Sequence, residues 1–276
     1  MKLQTIFKAY RFKFIFTLAL LLLEAGLAIL FPLFIGYAID SVINGSSYGA
    51  LQLGVLGLLT LLVGVSRRIY DSRFYAQVYQ RIGLATMPKM DTKAPSKKVA
   101  RLSMIRELVE FLENALPELI GNLIGLIGVM AIIAALNLKV FYGSLVVTLL
   151  IFLIYWLTSA KTIRLNRAAN DELEQQVDVI AKNSTPALQL HLSNTMKWNI
   201  KLSDLEAANF SASWILLIGF LIAAIIMAAG DGIIKYGALF SLIMYVFQYM
   251  ENVINLPLFY QNWLRLWEIR RRLEQE

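Results

Sequence analysis

Six stretches of this chain are long enough and poor enough in charge to cross a bilayer, and no other feature constrains the fold as strongly. A hydrocarbon core needs about 20 apolar residues in a helix. Residues 14–39 carry one charged side chain, Glu24, and residues 236–264 carry only Glu251. Residues 41–66, 119–138, 140–160 and 207–230 carry none. The second stretch opens on the turn-forming run Asn44-Gly45-Ser46-Ser47-Tyr48-Gly49, so its membrane segment is expected to start near residue 50. The first stretch is too long for a cleaved signal peptide, and Leu30-Phe31-Pro32-Leu33-Phe34 offers no small-residue cleavage site. Composition points the same way: 58% of residues are hydrophobic and 16% charged, against about 45–50% and about 25% in soluble domains. The expected fold class is an all-α integral membrane protein with six transmembrane helices, read as a single domain over residues 1–276. Its spans fall at about 14–39, 50–66, 119–138, 140–160, 207–230 and 236–260.

Lysine and arginine set the orientation. Of 26 such residues, the N-terminal segment carries Lys2, Lys8, Arg11 and Lys13, and the C-terminal one Arg265, Arg270, Arg271 and Arg272. Residues 67–118 carry ten and residues 161–206 six, whereas the remaining connections hold only Lys139 and Lys235. Both termini are therefore expected in the cytoplasm, in a bacterial inner membrane, and the formal charge of +7 reflects topology rather than nucleic-acid binding. With no cysteine and a single histidine, His191, a disulfide framework, a thiolate metal site and a thiol nucleophile are excluded, and no metal or other cofactor is expected.

The two long cytosolic loops, 67–118 and 161–206, read as helical extensions of the spans. Phe74, Val78 and Ile82 recur every fourth residue, and a break is expected over the basic, proline-flanked run 88–95. Leu102, Ile105, Val109, Leu112 and Leu116 then follow a 3-4-3-4 spacing, the seam of a coiled-coil-like contact. In the second loop Leu173, Val177 and Ile180 extend the fourth span, Asn183-Ser184-Thr185-Pro186 breaks it, and Ile200 and Leu205 lead back toward the membrane. Such projecting seams need a partner, from the same chain, a second copy or another protein.

This plan resembles the transmembrane domain of ABC exporters of the six-helix type. The run Gly230-Asp231-Gly232-Ile233-Ile234-Lys235-Tyr236-Gly237-Ala238-Leu239 is similar to that family's turn between spans five and six. Leu256-Pro257-Leu258 sits where its sixth helix carries a proline, and Arg101-Leu102 with Glu107-Leu108-Val109-Glu110-Phe111 resembles the return from its first coupling helix. The chain ends at Arg270-Arg271-Arg272-Leu273-Glu274-Gln275-Glu276, about where a linker to a nucleotide-binding domain begins in a complete exporter. It contains no G-x-x-x-x-G-K-[ST] phosphate loop, so no ATPase activity of its own is expected. Met104-Ile105-Arg106 replaces the acidic residue common after the Arg-Leu pair. The resemblance implies a homodimer around a central cavity, in contact with membrane lipid, with a separately encoded nucleotide-binding subunit as a possible partner.

Ionisable groups inside hydrocarbon are expensive and therefore point to function. Glu24 lies ten residues into the first span, which places it about 15 Å deep, near the midplane. Gln248, Glu251, Asn252 and Asn255 share one face of the sixth span, with Tyr245 above them, and are candidates to line a substrate or proton pathway. The competing readings are a headgroup-level pairing for Glu251 and a structural hydrogen bond for Glu24. Glu107, Glu110, Asn114 and Glu118 fall on one face at the start of the third span, with Glu113 to the side. They form either an acidic vestibule or salt bridges to Arg67, Arg68 and Arg73, and His191 reads as an exposed or tip-packing imidazole. Tyr260, Trp263 and Trp267 with Arg265 and Arg270 mark an inner interfacial belt. The expectation is a homodimeric, ATPase-less exporter-type carrier for an amphipathic or cationic small molecule or lipid. It would be driven by a separate ATPase or an ion gradient. The alternative is a non-transporting membrane scaffold or regulatory subunit with the same fold.

Overall fold

The computed structural model describes residues 10–86, 95–182, 184–230 and 235–256. The expected turn at 231–234, the tip at 87–94, Pro257 and the aromatic belt of Tyr260, Trp263 and Trp267 lie outside the described residues. The described residues are almost entirely helical, with no strand among them. In order come α1 (Arg11–Ile43), α2 (Tyr48–Thr86), α3 (Pro95–Glu110), a π-helical turn (Phe111–Ala115), α4 (Leu116–Leu136), α5 (Leu138–Glu174), α6 (Gln176–Ala181), α7 (Thr185–Gly230) and α8 (Tyr236–Ile254). Six continuous helical stretches are long and apolar enough to cross a membrane. They are α1, α2, α4 with its lead-in from Leu102, α5 with α6, α7, and α8.

The short turns between spans follow from local chemistry. After α1, Gly45 takes φ +77°, a left-handed conformation open to glycine, and its N–H donates to the Val42 carbonyl. Between α4 and α5 the Asn137 side chain accepts the N–H groups of Lys139 and Val140 at 3.0 and 3.1 Å, capping α5.

The chain forms two compact units, residues 1–140 with 227–276, and residues 141–226. In the first, α1 packs along α2, α4 and α8, and α4 packs along α8. Beyond the apolar runs this unit is cored by Phe74, Tyr75, Val78 and Ile82 of α2 against Ile105, Leu108, Val109, Phe111 and Leu112. The seam read from the 3-4-3-4 spacing is thus the inner side of this helix pair. Phe14 of α1 closes it edge-on against Phe74, at a ring separation of 4.9 Å.

The second unit holds most of α5, all of α6 and most of α7. At 37 and 46 residues, α5 and α7 are about 55 and 69 Å long, well beyond a hydrocarbon core. Asn209 donates to the Thr158 hydroxyl at 2.9 Å, and His191 Nδ1 lies 2.9 Å from Glu172 Oε1. His191 is buried rather than exposed, because it faces that carboxylate across the helix pair. Leu173, Val177, Ile180 and Ile200 all remain exposed in the single chain.

Candidate functional site

The first unit encloses a cavity of about 920 Å³ between α1, α2, α4 and α8. Each helix contributes one face. From α1 come Leu21, Glu24, Ala25, Ala28 and Ile29, spaced at three and four residues. From α2, where the apolar run gives way to its charged extension, come Arg67, Arg68, Asp71 and Ser72. The third wall begins at Glu113 and Asn114 and climbs through Pro117, Glu118, Gly121, Asn122 and Gly125 to Val129. The α8 wall is Gln248, Glu251, Asn252 and Asn255, the polar stripe expected from the spacing. Gly121 and Gly125 keep the third wall low, and a Cβ at Gly125 would crowd the Asn252 amide at 3.3 Å.

Several expectations need correcting. Tyr245 does not line the cavity: it is fully buried and its hydroxyl donates to the Ile29 carbonyl at 2.7 Å, tying α8 to α1. Glu107 and Glu110 are also off the lining, and Glu110 accepts from Arg106 one turn back on an exposed face. Glu113, assigned to the side by regular helix phase, is on the wall. The cause is the π-turn. Pro117 has no N–H to offer, and the Leu116 N–H reaches the Phe111 carbonyl, five residues back instead of four. One widened turn delays the helix by about a residue, which separates the faces before and after it.

Lys13 donates to Gln77 at 2.7 Å and Phe14 lies on Phe74, so the first turns of α1 run beside the polar extension of α2. Glu24 therefore sits level with Arg67, the first charge after the second apolar run.

Arg67 organises the charges. Its Nε donates to Glu24 and its Nη1 to Asp71 Oδ2 at 3.1 Å, one helical turn along α2. Gly64 leaves room for this pairing, since a Cβ there would stand 2.9 Å from Glu24 Oε1. Burial raises the pKa of Asp71 despite the lowering influence of the Thr17 hydroxyl and Arg67. Burial likewise raises Glu113, helped by the negative charges of Asp71 and Glu110. Both lie on the extensions beyond the spans. In total, five carboxylates face the cavity against two guanidiniums, Arg67 and Arg68. A concave wall with excess negative charge draws cations.

Above the cavity the unit is closed. Pro32 breaks the hydrogen-bond ladder of α1, and α8 brings hydroxyls to the same region: Ser241 donates to the Pro32 carbonyl at 2.7 Å, beside the Tyr245–Ile29 bond. Asp40 Oδ1 accepts the Gly237 N–H at 2.7 Å at the start of α8, where the helix dipole favours an anion. Gly36 and Gly237 meet backbone to backbone, with no space for a Cβ on either.

A family model described as ABC transporter transmembrane region matches residues 3–237. The chain belongs to that family. The match and the six apolar helices together fit an ABC exporter transmembrane domain, a multi-pass, transport-related membrane domain. No curated protein matches it.

Proposed function

We propose that this ABC-type membrane domain is the carrier half of a transporter for amphipathic or cationic small molecules. In this reading it works as a homodimer in a bacterial inner membrane, with both termini in the cytoplasm. The observation that carries the reading is the cavity of about 920 Å³ with its five carboxylates and two guanidiniums. A scaffold that had lost transport would have no use for charge gathered from four helices around a void. The apolar floor of Leu21, Ala25, Ala28 and Ile29 suits an amphipathic stem, and the carboxylates suit a cationic head. Packing of α1 on α8 above the cavity supports loading from the cytosolic side. The cytosolic apolar side chains of Leu173, Val177 and Ile180 support a second copy as the partner that covers them. Energy would come from a separately encoded ATPase subunit or from an ion gradient acting through Glu24 or Glu251.

The test is binding and flux of tetraphenylphosphonium with purified protein in proteoliposomes. Saturable binding, and exchange faster than in empty liposomes, are expected, both reduced by Glu251→Gln. If the protein neither binds nor moves this cation above the empty-liposome level, the cation reading is wrong.

A further inference from the structure

The excess carboxylates do not converge. Among the described residues no three acidic or imidazole side chains come close enough to hold a metal ion. The negative groups are instead spread over four helices, with Glu24 on α1, Asp71 on α2, Glu118 on α4 and Glu251 on α8, around a partly apolar void. Dispersed anions along an apolar surface match an extended organic cation with separated charges better than a compact ion. One seat for such a charge is already occupied from within, because Glu24 and Asp71 both hold the Arg67 guanidinium. A further acceptor stands nearby. Gln248 Oε1 is buried without a hydrogen-bond partner among the described residues, and the Asp71 side chain, on which Arg67 and the Thr17 hydroxyl act, is only 4% exposed.

We propose that Arg67 is a tethered stand-in for the substrate: it fills the Glu24 seat in the empty cavity, and the substrate, a polyamine-type cation, binds by displacing it. This deepens the cation reading above and rests on it. The geometry makes the exchange inexpensive. Arg67 is bound to Glu24 across helices but to Asp71 within its own helix. A guanidinium pushed off Glu24 keeps its second partner, and the incoming ammonium takes over the carboxylate it leaves. At no stage is a carboxylate left uncompensated in a desolvated site, which is what makes broken buried pairs costly. The exchange also removes the ion pair that links α1 to α2 beside the cavity, so occupancy is reported as a change in one tie between two cavity walls.

The sign of one measurement decides the matter. Radiolabelled spermidine binding is measured on the full chain in nanodiscs at fixed salt. Removing an internal competitor strengthens binding, so Arg67→Gln should bind spermidine at least about tenfold more tightly than wild type. Arg67→Lys keeps a charge on a simpler head that cannot fork to both carboxylates, and should fall between them. Glu24→Gln should weaken binding about tenfold. Should Arg67→Gln fail to fold, the Arg67→Lys comparison carries the test, and equal or weaker binding than wild type overturns the proposal. Weaker binding in Arg67→Gln overturns it as well. If wild type binds tetraphenylphosphonium but not spermidine, the polyamine assignment falls while the cation reading stands. If it binds neither, both fall.

Discussion

At the residue scale the informative positions are those where a side chain meets a backbone. Ser241 and Tyr245 place hydroxyls on carbonyls around Pro32, and Asp40 accepts the Gly237 N–H in the first turn of α8. These contacts hold two spans together in a medium that gives no hydrophobic drive for helix association, so close approach and polar contact carry the load. Ser241→Ala is expected to destabilise by about 0.6 kcal/mol and at most about 1.7 kcal/mol, read as a small drop in melting temperature in detergent. Gly237→Ala should cost more, at the upper end of the about 1–3 kcal/mol typical of overpacking, because the new Cβ would land on the Gly36 backbone rather than on a movable side chain. A larger loss from the serine than from the glycine would mean that hydrogen bonding, not close packing, sets this contact. None of these pairings was legible in the sequence. Asp40 and Gly237 are 197 positions apart, and a serine in an apolar helix gives no hint of its partner.

At the element scale the sequence was read most accurately where a period runs undisturbed. The 3-4-3-4 spacing located the α2–α3 core, and the polar stripe of α8 faces the cavity as its spacing implied. The reading failed at Glu107, Glu110 and Glu113 because it extended a 100° step through Pro117, where the helix widens by a residue. The proline was visible in the sequence, but whether it kinks, ends or widens a helix depends on what packs around it. The cysteine-free chain permits a direct check, because any introduced cysteine is the only thiol. A cysteine at 113 should react with a water-soluble thiol reagent and be protected by bound spermidine, whereas one at 110 should react without protection. In a Pro117→Ala background the regular ladder can close, and protection at 113 should be reduced or lost. Equal protection at 110 and 113 would place both on the cavity wall and dismiss the effect of the π-turn.

At the scale of the whole molecule, hydropathy and charge asymmetry were enough to place six helices, because lipid leaves few solutions for a chain with such runs. They carried no information about what the bundle encloses or what it pairs with. A second copy is the partner proposed for the exposed seam of residues 173–180. A cysteine replacing Val177, which is 75% exposed, should therefore crosslink two chains with a short bismaleimide, and purely monomeric products would remove the homodimer from the proposal. The cavity itself makes a further demand, on pH. The pKa values of Asp71 and Glu113 are both raised from their ordinary values, chiefly by burial. Arg67 and the Thr17 hydroxyl oppose the shift at Asp71, and the charges of Asp71 and Glu110 reinforce it at Glu113. The sign follows from the protonation states. A protonated carboxyl is neutral and attracts no cation, so affinity should fall as pH is lowered. Because both values are raised, the fall should begin at a higher pH than it would if the same two carboxyls were exposed. Spermidine binding measured as the pH is lowered from about 8 should weaken in wild type and less steeply in Glu113→Gln, which removes one titrating group while leaving Glu24 and Arg67 in place. Identical profiles for the two proteins would mean that Glu113 takes no part in holding the cation.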